Sequence, residues 1–170
     1  MCIGWDQCTF WAGPVKQNTL YYHGHGALVG GNPCLLTPTW EAVPIDELVN
    51  KVAELRVNAD RLYVISDCCA NSKEFEDEAT KKRVSAAAAV VKGKHFLESV
   101  VKIKAVPEGH EASSIEGKTF TSALVAVLSE KSLPLQKLQR RLRKKQKEQG
   151  SRNFPVVEAS FDLANEPFPL

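Results

Sequence analysis

Arg61-Leu-Tyr-Val-Ile-Ser66, followed at once by Asp67-Cys68-Cys69, is the stretch on which the fold turns. It is short and continuously apolar from Leu62 to Ile65, with β-branched members, which is the pattern of a strand buried on both faces of a parallel sheet. Working outward from it, Thr19-Leu-Tyr-Tyr-His23 upstream is aromatic and β-prone. Gly24, Gly26, Gly30, Gly31 and Pro33 then break it into what reads as a glycine-rich loop. Pro44 suits a first helical position, and Ile45, Leu48, Val49, Val52 and Leu55 recur at spacings of three and four. That spacing predicts an amphipathic helix of about three turns between the two strands.

Downstream, Lys73 to Lys92 is rich in Glu, Lys and Ala and reads as a helix or a solvated linker. Ser99-Val-Val-Lys-Ile-Lys-Ala-Val106 alternates apolar and basic residues at its centre, which predicts a third strand with one wet face. Thr119 to Leu128 reads as an amphipathic helix with Phe120, Leu124, Val127 and Leu128 on one side. Pro134 opens another, in which Leu135, Leu138 and Leu142 are surrounded by Lys137, Arg140, Arg141, Arg143, Lys144 and Lys145. The tail from Phe154 carries three prolines and a final apolar run expected to pack against the body. Strand, helix, strand, helix is the rhythm of an α/β domain with a mostly parallel sheet. No internal repeat and no long linker divides it.

Composition narrows the class. The chain has 170 residues, 44% hydrophobic and 25% charged, enough apolar mass for one globular core. No apolar run approaches the ~20 residues of a membrane span. Met1 to Trp11 lacks the basic start and apolar stretch of a secretory signal, so a cytoplasmic location is expected. Five cysteines without repeating spacing argue for reduced thiols over a disulfide framework. Acidic and basic residues nearly balance, 20 against 22, so a nucleic-acid partner is not expected. The basic face after Pro134 reads as a solvated helix surface.

Parallel sheets put their working residues just beyond the carboxyl ends of the strands. Two such ends here carry reactive side chains, His23-Gly24-His25-Gly26 and Asp67-Cys68-Cys69. If the two strands are neighbours, a right-handed crossover brings both loops to one edge of the sheet. An imidazole beside a thiol can favour the thiolate and later protonate a leaving amine. Glycine next to the histidine leaves a backbone N–H unobstructed, able to point at a developing oxyanion.

These residues resemble caspase-like cysteine peptidases, most closely the metacaspase and paracaspase branch. Tyr21-Tyr22-His23-Gly24-His25-Gly26 is similar to the Tyr-Ser-Gly-His-Gly end of the family's histidine strand. Leu62 to Cys69 resembles the apolar strand and Asp-x-Cys that carry the nucleophile. His25 and Cys69 lie 44 positions apart, close to the ~50 expected between His and Cys in caspases. Gly117-Lys-Thr-Phe120-Thr121-Ser-Ala123-Leu124 and Pro167-Phe168 resemble the opening of a late helix and the closing Pro-Phe, so the resemblance covers residue 19 to the end. It implies a three-layer sandwich, a mostly parallel sheet with helices on both faces. It also implies His25 as catalytic histidine, Cys69 as nucleophile, and the amides of Gly26 and Cys69 as oxyanion hole. Asp67 would line the S1 pocket and favour Arg or Lys at P1. The substrate would be a polypeptide and no cofactor is called for, with calcium activation left open.

The sequence departs from the family in two places. Cys69 is followed by Ala70-Asn71-Ser72 where the family usually has His-Ser-Gly. Family members also carry a strand and helix ahead of the histidine strand, whereas 18 residues precede Thr19. The domain is thus expected at 19–170, N-terminally incomplete, after a segment 1–18. Its histidine strand is then an open sheet edge unless the stretch with Trp5, Phe10 and Trp11, a second copy or another partner covers it. The competing function is a catalytically inactive caspase homologue acting as a protein-binding or regulatory module. Zinc on His23, His25, Cys68 and Cys69 has suitable ligand types, but adjacent cysteines point to opposite sides. Cys2, Cys8, Cys34 and Cys68 read as buried apolar residues and His23 as a non-catalytic residue on the far side of the turn. Lys81-Lys82-Arg83 occupies the position of an activating cleavage site, or of a solvated helix face.

Overall fold

A computed structural model of the chain describes residues 2–5, 8–12, 17–37, 39, 41–54, 61–70, 100–112, 119–129 and 133–159. In chain order its elements are β1 (Cys2–Trp5), β2 (Cys8–Ala12), β3 (Gln17–His23), β4 (Gly26–Val29), β5 (Asn32–Leu36), β6 (Ala42–Pro44), α1 (Ile45–Glu54), β7 (Arg61–Asp67), β8 (Val100–Lys104), α2 (Phe120–Ser129), α3 (Leu135–Glu148) and β9 (Val156–Ala159). The stretches 73–92 and 81–83, the end of the chain from 160 and the closing Pro167-Phe168 lie outside the described residues.

The run from Leu62 to Asp67 is a strand because both of its faces find apolar cover, and it is buried throughout. β7 pairs in parallel with β3 on one side, Leu20 opposite Val64, and with β8 on the other, Val64 opposite Lys102. β9 closes that side antiparallel, Lys104 opposite Val156. The four strands β3, β7, β8 and β9 therefore make the mostly parallel sheet expected from the sequence. The same sheet continues past β3 with β2 and then β1, both antiparallel. β2 runs along β3 from Cys8 opposite Tyr22 to Ala12 opposite Asn18, so β3 is an internal strand. The chain's own N-terminal stretch thus covers that edge, and the sheet begins well before Thr19.

Alternate residues of each central strand face opposite layers. Tyr63, Ile65, Val101 and Ile103 pack with Phe120, Leu124, Leu135, Leu138 and Leu142 of α2 and α3. Leu20, Tyr22, Leu62 and Val64 pack on the other face with Leu35 and Ile45, from β5 and α1. The molecule is thus mixed α/β with helices on both faces of the sheet. Among the described residues no helix is long and apolar enough to cross a membrane.

Three details depart from the sequence reading. The glycine-rich loop after His23 is a second sheet, β4-β5-β6. Gly30 and Gly31 have φ of 57° and 83°, the left-handed pair that a two-residue hairpin turn between Val29 and Asn32 requires. Pro33 is tolerated there because β6 pairs with β5 only from Cys34 onward. The basic face of β8 is only partly wet: Lys104 is buried, its ammonium 2.6 Å from Glu158 and 3.7 Å from Glu108, while the half-buried Lys102 reaches Asp46 at 2.5 Å. A buried ammonium persists only with such partners. Finally, Val156 to Ala159 of the tail forms a strand, β9.

Candidate active site

β3 and β7 end side by side, with His23 opposite Asp67 as their last pair. The Gly24 N–H donates to the Asp67 carbonyl at 3.2 Å, so the two chains stay joined one residue past the ladder. The following loops touch. A Cβ built on Gly26 would lie 2.4 Å from the Cys69 carbonyl oxygen and 2.6 Å from Cys68 Sγ. The close approach of the two loops therefore depends on glycine at position 26.

His25 has a fixed backbone and an exposed side chain. Its carbonyl accepts the Leu36 N–H at 3.0 Å and lies 2.6 Å from the buried Tyr22 hydroxyl, which is also 2.7 Å from the Leu36 carbonyl. One hydroxyl proton serves both oxygens, and β3, β5 and the turn at His25 are bound into one unit.

Cys69 is half-buried at the start of its loop. The Ala112 N–H donates to its Sγ at 3.3 Å, and a donor at sulfur stabilises negative charge there. The segment after β8 braces this loop twice more: Ala70 N–H donates to His110 O at 2.9 Å and Gly109 N–H to Ala70 O at 2.6 Å. The neighbouring Cys68 goes the other way, into the cluster with Leu20, Tyr22 and Val64. Burial first, then the nearby Cys69 and Asp67, push its thiol from 9.0 up to about 12. Burial likewise raises Cys34 to about 11.

These raised thiols have a consequence for stability. In the unfolded chain they ionise near pH 9, while in the fold they keep their protons, so their contribution is complete below that pH and is lost as pH rises toward 11–12. Urea midpoints measured from pH 8 to 10.5 are expected to fall, and to fall less steeply in Cys68→Ala. Parallel curves for the two proteins would contradict this.

Asp67 is the centre of the polar network. Its side chain is only 3% exposed. Oδ2 accepts the Thr121 N–H at 3.0 Å and the Thr121 hydroxyl at 2.6 Å, and His23 Nδ1 lies 3.3 Å from the same oxygen. Because the Thr121 proton is committed to Asp67, the Tyr21 hydroxyl, 2.6 Å from Thr121 Oγ1, must be the donor in that contact. Burial chiefly, with the charge of Asp67 adding to it against the Thr121 bond, holds Tyr21 above its ordinary range. Thr121 sits in the first turn of α2, so the carboxylate also meets the positive end of that helix.

The four residues proposed from sequence, His25, Gly26, Asp67 and Cys69, stand on adjacent strand ends at one edge of the sheet. His23, read as lying away from the chemistry, is instead in contact with Asp67. Sequence reasoning did not find Thr121 or Tyr21 as partners of Asp67, and no spacing rule links positions 21, 67 and 121. Among the described residues no group of three or more His, Cys, Asp or Glu is arranged to hold a metal ion. No protein-family model matches the chain, and no curated protein matches it.

Proposed function

We propose that the chain is a cysteine endopeptidase with a caspase-like fold, cleaving after Arg or Lys. Cys69 Sγ attacks the scissile carbonyl, and the amides of Gly26 and Cys69 receive the oxyanion. His25 takes up the thiol proton and passes it to the departing amine, leaving a thioester. Water, deprotonated by the same imidazole, then hydrolyses the thioester and frees the thiol. Asp67 receives the P1 cation. The observation that carries this reading is the packing of Gly26 against Cys68 and Cys69, which brings the histidine turn and the cysteine turn into direct contact. Asp67 adds support, because Thr121 holds its Oδ2 while no donor among the described residues reaches Oδ1.

Reporter peptides with Arg, Lys or Asp at P1, together with an arginyl fluoromethylketone, test it. The expected result is cleavage after Arg and Lys, stoichiometric labelling at Cys69, and loss of both in His25→Ala. Equal slow labelling of all five thiols, unaffected by that substitution, would rule out the peptidase and leave a non-enzymatic binding module.

A further inference from the structure

The Asp67 carboxylate is nearly closed off from water, yet one group in contact with it is not. His23 faces Asp67 across the parallel pair, with Nδ1 3.3 Å from Oδ2, and its side chain is 58% exposed. The other contact, Thr121, reaches the same oxygen with two hydrogen bonds from the first turn of a packed helix. Thr121 cannot leave without breaking the end of α2, whereas His23 can turn into solvent at little cost. Of these two contacts, the imidazole is the one that a ligand coming from water can displace.

We propose that His23 is a gate on Asp67, a specificity-determining residue that a guanidinium side chain displaces when it binds. This rests on the peptidase reading for its role in catalysis, although the gate itself is a matter of binding. A planar guanidinium presents a rigid fork of donors that can take Oδ1, which no described donor reaches, and the place His23 leaves on Oδ2 together. An ammonium is a single point of charge and fills one of those positions. The gate thus favours Arg over Lys, and a neutral side chain has nothing to offer in exchange for the imidazole. Because His23 competes with the ligand equally before and during reaction, its removal changes binding and leaves the chemical step alone.

Two measurements on the full chain test this. The first compares kcat and KM for a P1-Arg reporter in the wild type and His23→Ala. An exposed contact of this kind is worth little, so KM is expected to drop about two- to fivefold with kcat unchanged. The second uses Cys69→Ala protein with labelled histidine, whose four imidazoles give a simple NMR spectrum, the His23 signal being identified by its loss in His23→Gln. N-acetyl-argininamide should move that signal, and N-acetyl-glutaminamide should leave it in place. Cleavage after Arg with KM unchanged in His23→Ala and a static His23 signal overturns the gate while sparing the peptidase. A signal moved by the arginine probe in a protein that cleaves nothing overturns the peptidase and keeps the gate as a guanidinium site. Neither cleavage nor movement removes both.

Discussion

Gly26→Ala is expected to destabilise the fold by about 3 kcal/mol or more and to lower turnover of a P1-Arg reporter at least about a hundredfold. The added methyl would lie 2.4 Å from a backbone oxygen and 2.6 Å from the sulfur of a buried cysteine, and neither is the free end of a flexible side chain. Relief requires the turn at His25 to move away from the turn at Cys69, or β4 to lift from the main sheet. Either movement separates the amides of Gly26 and Cys69, which the proposed mechanism aims at the oxyanion, and draws the turn at His25 away from the turn at Cys69. Gly30→Ala is the matched control. Its Cβ meets nothing within 4 Å, so its cost is that of an alanine at φ +57°, about 1 kcal/mol, and Cys69 should keep its reactivity. Urea unfolding of both variants measures the difference. A Gly26→Ala protein as stable as the control would mean that the two turns are not in the contact described.

The contrast between those glycines marks how far the sequence could be read. β7 was legible because burial on both faces leaves an uninterrupted apolar run, and α1, α2 and α3 because one face of each is covered and the period of 3.6 shows through. Parallel strands with a helix between them then bring His25 and Cys69 to one edge by handedness alone. Gly30 and Gly31 read as loop residues because a hairpin of such short strands, with Pro33 inside it, has the local composition of a loop, and only pairing distinguishes the two. The alternation in β8 was visible, but the sequence does not say that Glu158, 54 positions beyond Lys104, arrives to neutralise the face that looked wet. β2 gains its place by pairing with β3, and β1 by pairing with β2, an arrangement that the aromatic residues of the stretch do not specify. Thr121 was hidden for the same reason. A threonine in the first turn of a helix is ordinary, and its meaning comes from a carboxylate brought to it by the sheet.

Asp67 gives the second large effect, because two demands meet on one carboxylate. Replacing it with alanine leaves the Thr121 N–H and the Thr121 hydroxyl without their acceptor in a partly buried place, a loss of about 3 kcal/mol. Asparagine keeps an oxygen for Thr121 and should cost about half as much, yet it removes the charge on which the proposed P1 pocket depends. Turnover of the P1-Arg reporter is then expected to fall about a hundredfold or more in Asp67→Asn, with a smaller change for a reporter neutral at P1. Thr121→Val separates the two demands: it takes away one donor and the acceptor of Tyr21, but leaves the carboxylate in place beside His23. Its stability should drop by about 1–2 kcal/mol, while the order of preference among P1 residues stays that of the wild type. In a double-mutant cycle the losses of Asp67→Ala and Thr121→Val should fall short of additive by about 1 kcal/mol or more, since both break one bond. Additive losses would show that Oδ2 and Thr121 do not act together. An Asp67→Asn protein that still prefers arginine would move the proposed specificity pocket elsewhere on this edge of the sheet, and leave Asp67 as the anchor of α2 alone.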